Sequence, residues 1–425
     1  MSARPRAAIV VTGSELVRGE RTDRNGPFYA REALRLGLEP ARITIVGDAP
    51  AELEAALREG LEADACLVSG GLGPTHDDRT VELVARAAGV PLLVDPELER
   101  EIEAVSRAAA ERLGRPYADF APGVTKQATR PGGSLSLGLA GTAPGLVLPA
   151  ASGCVAVILP GPPGELWRLW PRALETAPMR ELLARARPPG RRVLRLFGVS
   201  ESAVARALAE AGGDGGGVEA TICAREFEIH VDLVVEPDAE ARADELEGAL
   251  ASRLERWLYA RDERPVEEHV LALCRARGLT LATAESCTGG LVAARLTSVP
   301  GSSDVVLGGV VAYANAVKSD GLGVPEELLA AHGAVSAEVA EAMARGARER
   351  LGADVAVAVT GVAGPGGGSE AKPVGLVHVH AEGPAGGVAR ELRVPGDRDA
   401  VRARAAVVAL HLVRLLLTRS RDEVV

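Results

Sequence analysis

The sequence predicts an α/β protein made of several domains, and two patterns support this prediction. Apolar segments of strand length alternate with segments of helical periodicity, and glycine-rich turns follow the ends of several predicted strands. A chain of 425 residues corresponds to roughly two to four domains. Aromatic residues make up only 3% of the chain, so we expect cores of alanine, valine and leucine.

The first region, residues 1–185, has the βαβα order of a parallel sheet covered by helices on both faces. The predicted strands are residues 7–12, 43–46 and 65–69, and the predicted helical segments are residues 31–36 and 51–61. Ligands of such sheets collect where strands end at their carboxyl edges. The third strand ends at such a place, in the turn GGLGPT of residues 70–75.

A second region, residues 186–262, begins after a proline- and arginine-rich segment and reads as a small α+β module. A strand is predicted at residues 193–198, and Ser200 can cap a helix through residue 211. After a glycine-rich segment we expect two strands, residues 218–223 and 227–235, and a helix over residues 238–259.

The third region, residues 263–425, is again α/β. Three helices are predicted: residues 266–277, ended by Gly278; a helix after Ser286 that continues through residue 296; and residues 337–351, capped by Ser336. The predicted strands are residues 279–284, 305–314 and 354–360. The apolar segment 405–417 is interrupted by His411 and Arg414. It predicts a docked amphipathic helix and not a membrane span.

Charge and cysteine content restrict the class of protein. A net charge of −10 argues against a general nucleic-acid binder. Five scattered cysteines without zinc spacing favour reduced thiols. We therefore expect a soluble cytoplasmic protein that binds neither nucleic acid nor membranes.

Lysine is rare in this chain: only Lys126, Lys318 and Lys372 occur among 48 basic residues. Arginine stays protonated, whereas a desolvated lysine can lose its proton and act as a base. Each lysine is therefore a candidate for chemistry.

Ser286 is the candidate nucleophile. The sequence places it between a strand and a helix, where free N–H groups could hold an oxyanion. Lys318, expected near the end of a strand-and-turn segment, could take its proton, with Tyr313 as a relay. The alternatives are that the turn only caps a helix, that Cys287 is the nucleophile, or that Lys372 is the base. The glycine-rich loop 361–368 could bind phosphate or be a long turn.

Several motifs of the third region closely resemble the C-terminal domain of the CinA family, known as nicotinamide mononucleotide deamidase. They are AESCTGG (284–290), VPGSS (299–303), GGVVAY (308–313), HGAVS (332–336), TGVAGP (360–365) and KPVG (372–375). The resemblance implies that Ser286 attacks the carboxamide carbon while Lys318, assisted by Tyr313, takes its proton, and that no cofactor is needed. The residues implied to line the substrate site are Thr288, Gly289, Gly290, Ser302, Ser303, Thr360, Gly361 and Lys372.

The first region resembles the N-terminal domain of the same family, which has a molybdopterin-binding-like, three-layer α/β/α fold. The motifs are TGSEL (12–16), GGLGPTHDD (70–78), GTAPG (141–145) and LPGPPGE (159–165). The resemblance implies an ADP-ribose pyrophosphatase that uses a divalent metal such as Mg²⁺. Asp78 and Asp77 are the expected ligands, unless they cap the helix that begins near Arg79. The expected nucleotide site consists of Glu15, Asn25, Gly70, Gly71, Gly73, Thr75 and Lys126.

The second region corresponds in the family to a KH-like module. KH domains bind RNA through a GxxG loop with basic flanks, but the glycine segment 212–217 contains an aspartate and no lysine. We therefore expect a spacer or dimerisation element, in a protein that forms a homodimer and acts on nicotinamide mononucleotide and ADP-ribose. The alternative is a competence-associated, nucleotide-sensing or molybdopterin-binding protein without catalysis.

Overall fold

The computed structural model of the chain describes residues 4–418. These residues form two compact units. One comprises the chain to Gly190 together with Glu236–Asp238, and the other comprises Arg191–Val235 and the chain from Ala239 onwards. The α/β class predicted from the sequence is confirmed in both units.

The first unit contains a six-stranded sheet in the order β2-β1-β3-β8-β7-β6 and a two-stranded sheet of β4 and β5. Strands β1, β2, β3 and β8 are parallel, and β7 is antiparallel to β8 and β6. The strands are β1 (Arg6–Thr12), β2 (Glu39–Val46), β3 (Ala65–Ser69), β4 (Leu92–Val94), β5 (Thr129–Pro131), β6 (Leu135–Leu139), β7 (Pro144–Pro149) and β8 (Val155–Leu159). The helices are α1 (Ser14–Val17), α2 (Asn25–Arg35), α3 (Pro50–Gly60), α4 (Thr80–Ala88), α5 (Pro96–Leu113), α6 (Ala121–Gln127), α7 (Pro163–Leu174) and α8 (Ala177–Leu183), with a 3₁₀ turn at Tyr117–Asp119.

Alternation along β1 explains the three layers of this unit. Ile9 and Val11 pack against α2 and α7 on one face, whereas Val10 packs against α3 and α4 on the other. Because both faces of the sheet are covered, its central strands are almost completely buried. The proline- and arginine-rich segment expected to separate the first two regions, residues 178–191, is in part helical, since α8 continues to Leu183.

In the second unit, the middle module forms a four-stranded sheet in the order β10-β11-β9-β12 with two helices. Its elements are β9 (Gly190–Leu196), α9 (Glu201–Glu210), β10 (Val218–Arg225), β11 (Glu228–Val235), α10 (Glu240–Arg253) and β12 (Leu258–Ala260). The predicted cap is confirmed, because Ser200 Oγ accepts the Ala203 N–H at 3.3 Å. The helix expected over 238–259 was wrong at its end. Residues after Arg253 leave the helix and form β12, which pairs with β9, as suits the aromatic residues Trp257 and Tyr259.

The remainder of the second unit contains a five-stranded sheet in the order β14-β13-β15-β16-β17. Strand β13 is parallel to β14 and β15, and β16 and β17 complete the sheet as antiparallel strands. The strands are β13 (Leu281–Glu285), β14 (Val306–Val311), β15 (Val355–Gly361), β16 (Leu376–Gly383) and β17 (Gly386–Arg393). The helices are α11 (Val266–Arg277), α12 (Leu291–Thr297), α13 (Asn315–Leu322), α14 (Glu326–His332), α15 (Ala337–Leu351) and α16 (Arg398–Thr418), with a 3₁₀ turn at Ser302–Asp304.

Helix α16 is the central helix on one face of this sheet. It packs with α11 and α12, and this core consists of valine, alanine and leucine with two cysteines. Every residue from Ala405 to Val413 is buried, so the amphipathic pattern expected for this segment is not observed. None of the helices within residues 4–418 is long and apolar enough to cross a membrane.

Candidate active site

Ser286 and Lys318 are in direct contact. Lys318 Nζ lies 3.2 Å from Ser286 Oγ, although the two residues are 32 positions apart. Strands β13 and β14 are parallel neighbours, with Glu285 opposite Val311, so both strands end side by side. Ser286 follows β13 directly, and Lys318 lies in α13, seven residues after Val311, the last residue of β14. The fold therefore creates the predicted pair from two adjacent strand ends.

Lys318 lies in helix α13, and the expectation of a strand-and-turn position for it was wrong. Helical side chains lean toward the start of their helix, and this one reaches back to the strand end, where Nζ donates to the carbonyls of Ala312 (2.8 Å) and Tyr313 (3.3 Å). The side chain is buried, at 1% relative exposure, and within residues 4–418 no carboxylate binds it. Burial lowers the pKa of Lys318, with Cys287 opposing that shift in part. The neutral amine that a general base requires is therefore favoured.

Cys287, the rival nucleophile, is buried beside Ser286. Burial raises the pKa of its thiol to about 11. Because the thiolate is the reactive form, this cysteine is chemically inert near neutral pH.

Glu285 has a function that the sequence analysis did not assign. Its buried carboxylate accepts N–H groups from Gly290 (3.0 Å), Val292 (3.0 Å) and Ala293 (2.8 Å). The carboxylate thus occupies the N-terminus of α12, which begins at Leu291 and not directly after Ser286. The N–H groups of Gly290, Val292 and Ala293 are therefore not free to hold an oxyanion at Ser286. The sequence did contain an indication of this role, because Glu285 is a charged residue at the end of a strand whose other residues are apolar or small.

Tyr313 contacts Lys318 through its backbone carbonyl and not through its phenol. Its side chain is 62% exposed, and its hydroxyl accepts a hydrogen bond from Arg398 Nη2 at 2.9 Å. A proton relay through the phenol therefore has no support in this geometry. Arg398 also donates to the carbonyl of Gly364 (2.7 Å), so it joins the glycine-rich loop to Tyr313. One helical turn later, Arg402 donates to the carbonyl of Thr288 at 3.1 Å.

The other expected substrate residues differ in accessibility. The Thr288 and Thr360 side chains are fully buried; Thr360 Oγ1 donates to the Ala334 carbonyl at 2.6 Å, and among the described residues Thr288 Oγ1 has no partner. Direct contact of either hydroxyl with substrate is therefore not supported.

The remaining members of that set lie in turns or near loops. Gly289 and Gly290 have positive φ values of 62° and 96° in the turn after Ser286. Ser302 is buried and Ser303 exposed at the start of the 3₁₀ turn, and Gly361 ends β15. Lys372 Nζ donates to the His332 carbonyl.

Five of the seven expected nucleotide residues of the first unit line two cavities, and Gly70 and Thr75 line neither of them. One, of about 520 Å³, is lined by Glu15 and Asn25 together with Arg21, Arg24 and Ser69. Asn25 Nδ2 donates to Ser69 Oγ and the Gly161 carbonyl, both at 2.8 Å, while its Oδ1 has no partner within residues 4–418. The second, of about 200 Å³, is lined by Gly71, Gly73, Asp78 and Lys126.

Gly70 and Gly71 form the turn between these cavities. Both have positive φ values, and an added Cβ would lie 2.4 Å from the Thr12 carbonyl oxygen or 2.2 Å from Thr80 Oγ1, respectively. Only glycine therefore fits at these two positions.

Asp77 and Asp78 converge on Thr75 and do not cap α4. The Thr75 hydroxyl lies within hydrogen-bond distance of both carboxylates, with one proton to donate, and the Thr75 N–H donates to Asp78 Oδ2 at 3.0 Å. Lys126 Nζ donates to the Thr75 carbonyl. Within residues 4–418, no three His, Cys, Asp or Glu side chains form a metal cluster. Two carboxylates are compatible with Mg²⁺, which usually completes its coordination with water and substrate phosphates.

Comparisons with known proteins identify the family of this chain. The models that match are the CinA C-terminal domain (residues 263–417), a probable molybdopterin binding domain (8–178) and the damage-inducible protein CinA KH domain (191–260). A CinA-like protein of Mycolicibacterium paratuberculosis is 45% identical over 438 residues, covering 98% of this chain and 100% of the relative. One from Mycobacterium sp. strain MCS is 46% identical over 428 residues, covering 98% and 99%. The crystal structure of competence/damage inducible protein CihA from Agrobacterium tumefaciens is 44% identical, covers 36% of this chain and 94% of that chain, and has a TM-score of 0.35. The chain therefore belongs to the CinA family.

Proposed function

We propose that the C-terminal domain hydrolyses nicotinamide mononucleotide to nicotinate mononucleotide and ammonia. The chemistry rests on one observation: Ser286 Oγ lies 3.2 Å from a buried lysine that no carboxylate binds within residues 4–418. The substrate rests on the family resemblance of the motifs that surround this pair.

The reaction proceeds through an acyl-enzyme. Neutral Lys318 takes the hydroxyl proton as Ser286 Oγ bonds to the carboxamide carbon, giving a tetrahedral oxyanion. The C–N bond then breaks, and the Lys318 ammonium returns the proton to the leaving nitrogen, so ammonia departs. A water molecule next gives its proton to Lys318 and attacks the ester carbon. Lys318 finally protonates the departing Ser286 Oγ, which releases the carboxylate product.

Two neighbouring side chains provide a matched test. The Ser286→Ala variant should release no ammonia from nicotinamide mononucleotide above background, because the bond-forming oxygen is gone. The Cys287→Ser variant should stay within about threefold of the unmodified chain, since its thiol is protonated and takes no part. An inactive Cys287→Ser variant beside an active Ser286→Ala variant would reverse the assignment. Inactivity of the unmodified chain would favour a nucleotide-sensing protein without catalysis.

We also propose that the first unit hydrolyses the pyrophosphate of ADP-ribose with a divalent metal ion. The supporting observation is that Asp78, Lys126 and two turn glycines line one cavity. Asp78 with Asp77 would hold the metal, which supplies charge neutralisation of the phosphates, and Lys126 with the glycine N–H groups would orient them. Release of AMP that requires Mg²⁺ and is lost in Asp78→Asn is the expected result. Full activity of Asp78→Asn with added chelator would contradict it.

A further inference from the structure

The hairpin of β10 and β11 in the middle module ends in an unusual turn. Glu226 and Phe227 both have positive φ values, 49° and 66°. Side chains other than glycine, asparagine and aspartate rarely adopt this conformation, which a two-residue hairpin turn of this type requires at both positions. Asparagine followed by glycine would satisfy the backbone with less strain. Strained residues persist where surrounding contacts hold them, and here those contacts are with two helices of the C-terminal domain.

The tip of the hairpin touches α12 and α16. Glu226 Oε2 accepts a hydrogen bond from Arg295 Nη2 of α12 at 3.0 Å. The Arg404 guanidinium of α16 lies 5.7 Å from the centre of the Phe227 ring. The two side chains with strained backbones thus both reach the C-terminal domain.

The hairpin contacts α16 a second time, through a buried carboxylate that directly follows the turn. Glu228 is 2% exposed, and its Oε1 accepts a hydrogen bond from His411 Nε2 of α16 at 2.8 Å. Its Oε2 is bound by Arg195 (3.0 Å) and Tyr259 (2.5 Å), both from the middle module. His411 is fully buried and stacks on Phe197 with 3.7 Å between ring centres.

The protonation of His411 follows from its neighbours. Arg414 Nε donates to His411 Nδ1 at 3.3 Å, so Nδ1 is an acceptor and Nε2 carries the proton that binds Glu228. The pair therefore joins a neutral imidazole to a carboxylate.

Both helices held by the hairpin also contact the loop that follows Ser286. Helix α12 begins on the Glu285 carboxylate, one residue before the nucleophile. Helix α16 carries Arg402, which binds the Thr288 carbonyl, and Arg398, which binds Gly364 and Tyr313. Arg402 and His411 lie about 14 Å apart along the same continuous helix, so the hairpin contact and the contact to Thr288 share one element.

We propose that the β10–β11 hairpin is an intrachain positioning element for the active site, with Glu226, Phe227 and Glu228 as positioning residues. It holds α12 and α16 in register and thereby fixes the turn 286–290 and the two arginines beside it. The middle module then has a function within its own chain, beyond the spacer or dimerisation element expected from the sequence. The effect on catalysis rests on the deamidase function proposed above.

The double substitution Glu226→Asn with Phe227→Gly separates positioning from folding. It gives the turn the residues that its backbone favours, so the hairpin itself should not weaken, while both tip contacts disappear. We expect amide hydrogen exchange in segments 290–297 and 398–404 of the full chain to accelerate about tenfold. In the deamidase assay, kcat/KM for nicotinamide mononucleotide should fall about tenfold, because the loosened turn carries the nucleophile Ser286. The midpoint of the rate's pH dependence should stay unchanged, since within residues 4–418 the tip side chains bind α12 and α16 and make no hydrogen bond to β14 or α13, which position Lys318.

Two further variants keep the test decisive. Phe227→Ala removes only the ring and should give a smaller acceleration in segment 398–404. Asp244→Asn removes an exposed ion pair with Arg192 in the same module and should change neither exchange nor kcat/KM. Unchanged exchange in both segments of the double variant would overturn the proposal, as would equal acceleration throughout the C-terminal domain. Failure of the unmodified chain to release ammonia would refute the deamidase function alone, because the exchange result does not depend on substrate.

Discussion

Lys318→Arg should abolish the proposed deamidase reaction as completely as Lys318→Ala. Lys318 Nζ makes three short contacts in a buried site, to Ser286 Oγ and to two carbonyl oxygens. The lysine can lose its proton there because burial lowers its pKa. Arginine remains protonated under all working conditions, so it can keep the carbonyl contacts but cannot accept a proton from Ser286.

The expected loss can be estimated from the role of the lysine. A positioned general base contributes a factor of about 10² to 10⁴, which is roughly 3 to 5 kcal/mol of activation free energy. Because Ser286 and Lys318 act as one unit, the double variant Ser286→Ala with Lys318→Ala should lose little more than either single variant. The rate of the unmodified chain should rise with pH as Lys318 loses its proton, with a midpoint below the ordinary lysine pKa.

Ammonia release from nicotinamide mononucleotide, followed across a range of pH, is the assay. Circular dichroism of each variant serves as the control for folding. An arginine variant with more than about one tenth of the original kcat would refute the base assignment, since a loss of only tenfold corresponds to about 1.4 kcal/mol. Strictly multiplicative losses in the double variant would show that the two side chains act independently.

Three further predictions concern stability. Glu285→Gln should lower the free energy of unfolding by about 2 kcal/mol, because an amide NH₂ would face the N–H groups of α12. Urea unfolding measures this free energy, and an unchanged value would contradict the capping role. Gly346→Ala should lower the free energy of unfolding by about 1 to 3 kcal/mol, since the new Cβ would lie 1.8 Å from the Leu322 carbonyl oxygen at the end of α13. Gly248→Ala in α10, with open space around the new Cβ, should raise it by about 0.5 to 1 kcal/mol. Thermal unfolding of both variants measures the difference. Burial lowers the pKa of His411 to about 4, below its ordinary value of 6.5. Between these two values the unfolded chain binds a proton that the folded chain does not, so stability falls as pH falls, by about 2 kcal/mol from pH 6.5 to 4.5. His411→Gln should lack this part of the loss, as denaturant titrations at the two pH values would show.

The fold was predictable from the sequence where periodicity and caps agree. Residues 266–277 form the expected helix ended by Gly278, and Ser336 caps α15 as predicted, with the Val339 N–H at 3.3 Å. Strand β12 was not predictable, because its three residues continue a helical pattern and form a strand only by pairing with β9. Local propensity yields to a tertiary contact there.

The candidate site was predictable in part, for a similar reason. Residue type and spacing suggested Ser286 and Lys318, since few residues can perform this chemistry. Arg398 and Arg402 could not be identified, because their partners lie 34 to 114 residues away and nothing local indicates the contact. The glycine turn at residues 70–75 was also predicted from the sequence. The division of the expected nucleotide residues between two cavities was not, because it depends on how distant segments pack around that turn.

The valine-, alanine- and leucine-based core of the C-terminal domain has a consequence for optical measurements. The three tryptophans are Trp167, Trp170 and Trp257, and beyond Tyr259 the sequence contains one aromatic residue, Tyr313. Tryptophan emission therefore reports on the first unit and the middle module, and no tryptophan reports from within the C-terminal domain. Tyr313 is exposed beside the candidate active site and bound by Arg398. It is the one tyrosine after Tyr259, and no tryptophan follows it. Changes in its absorbance will therefore report changes at the candidate site and not the unfolding of the core.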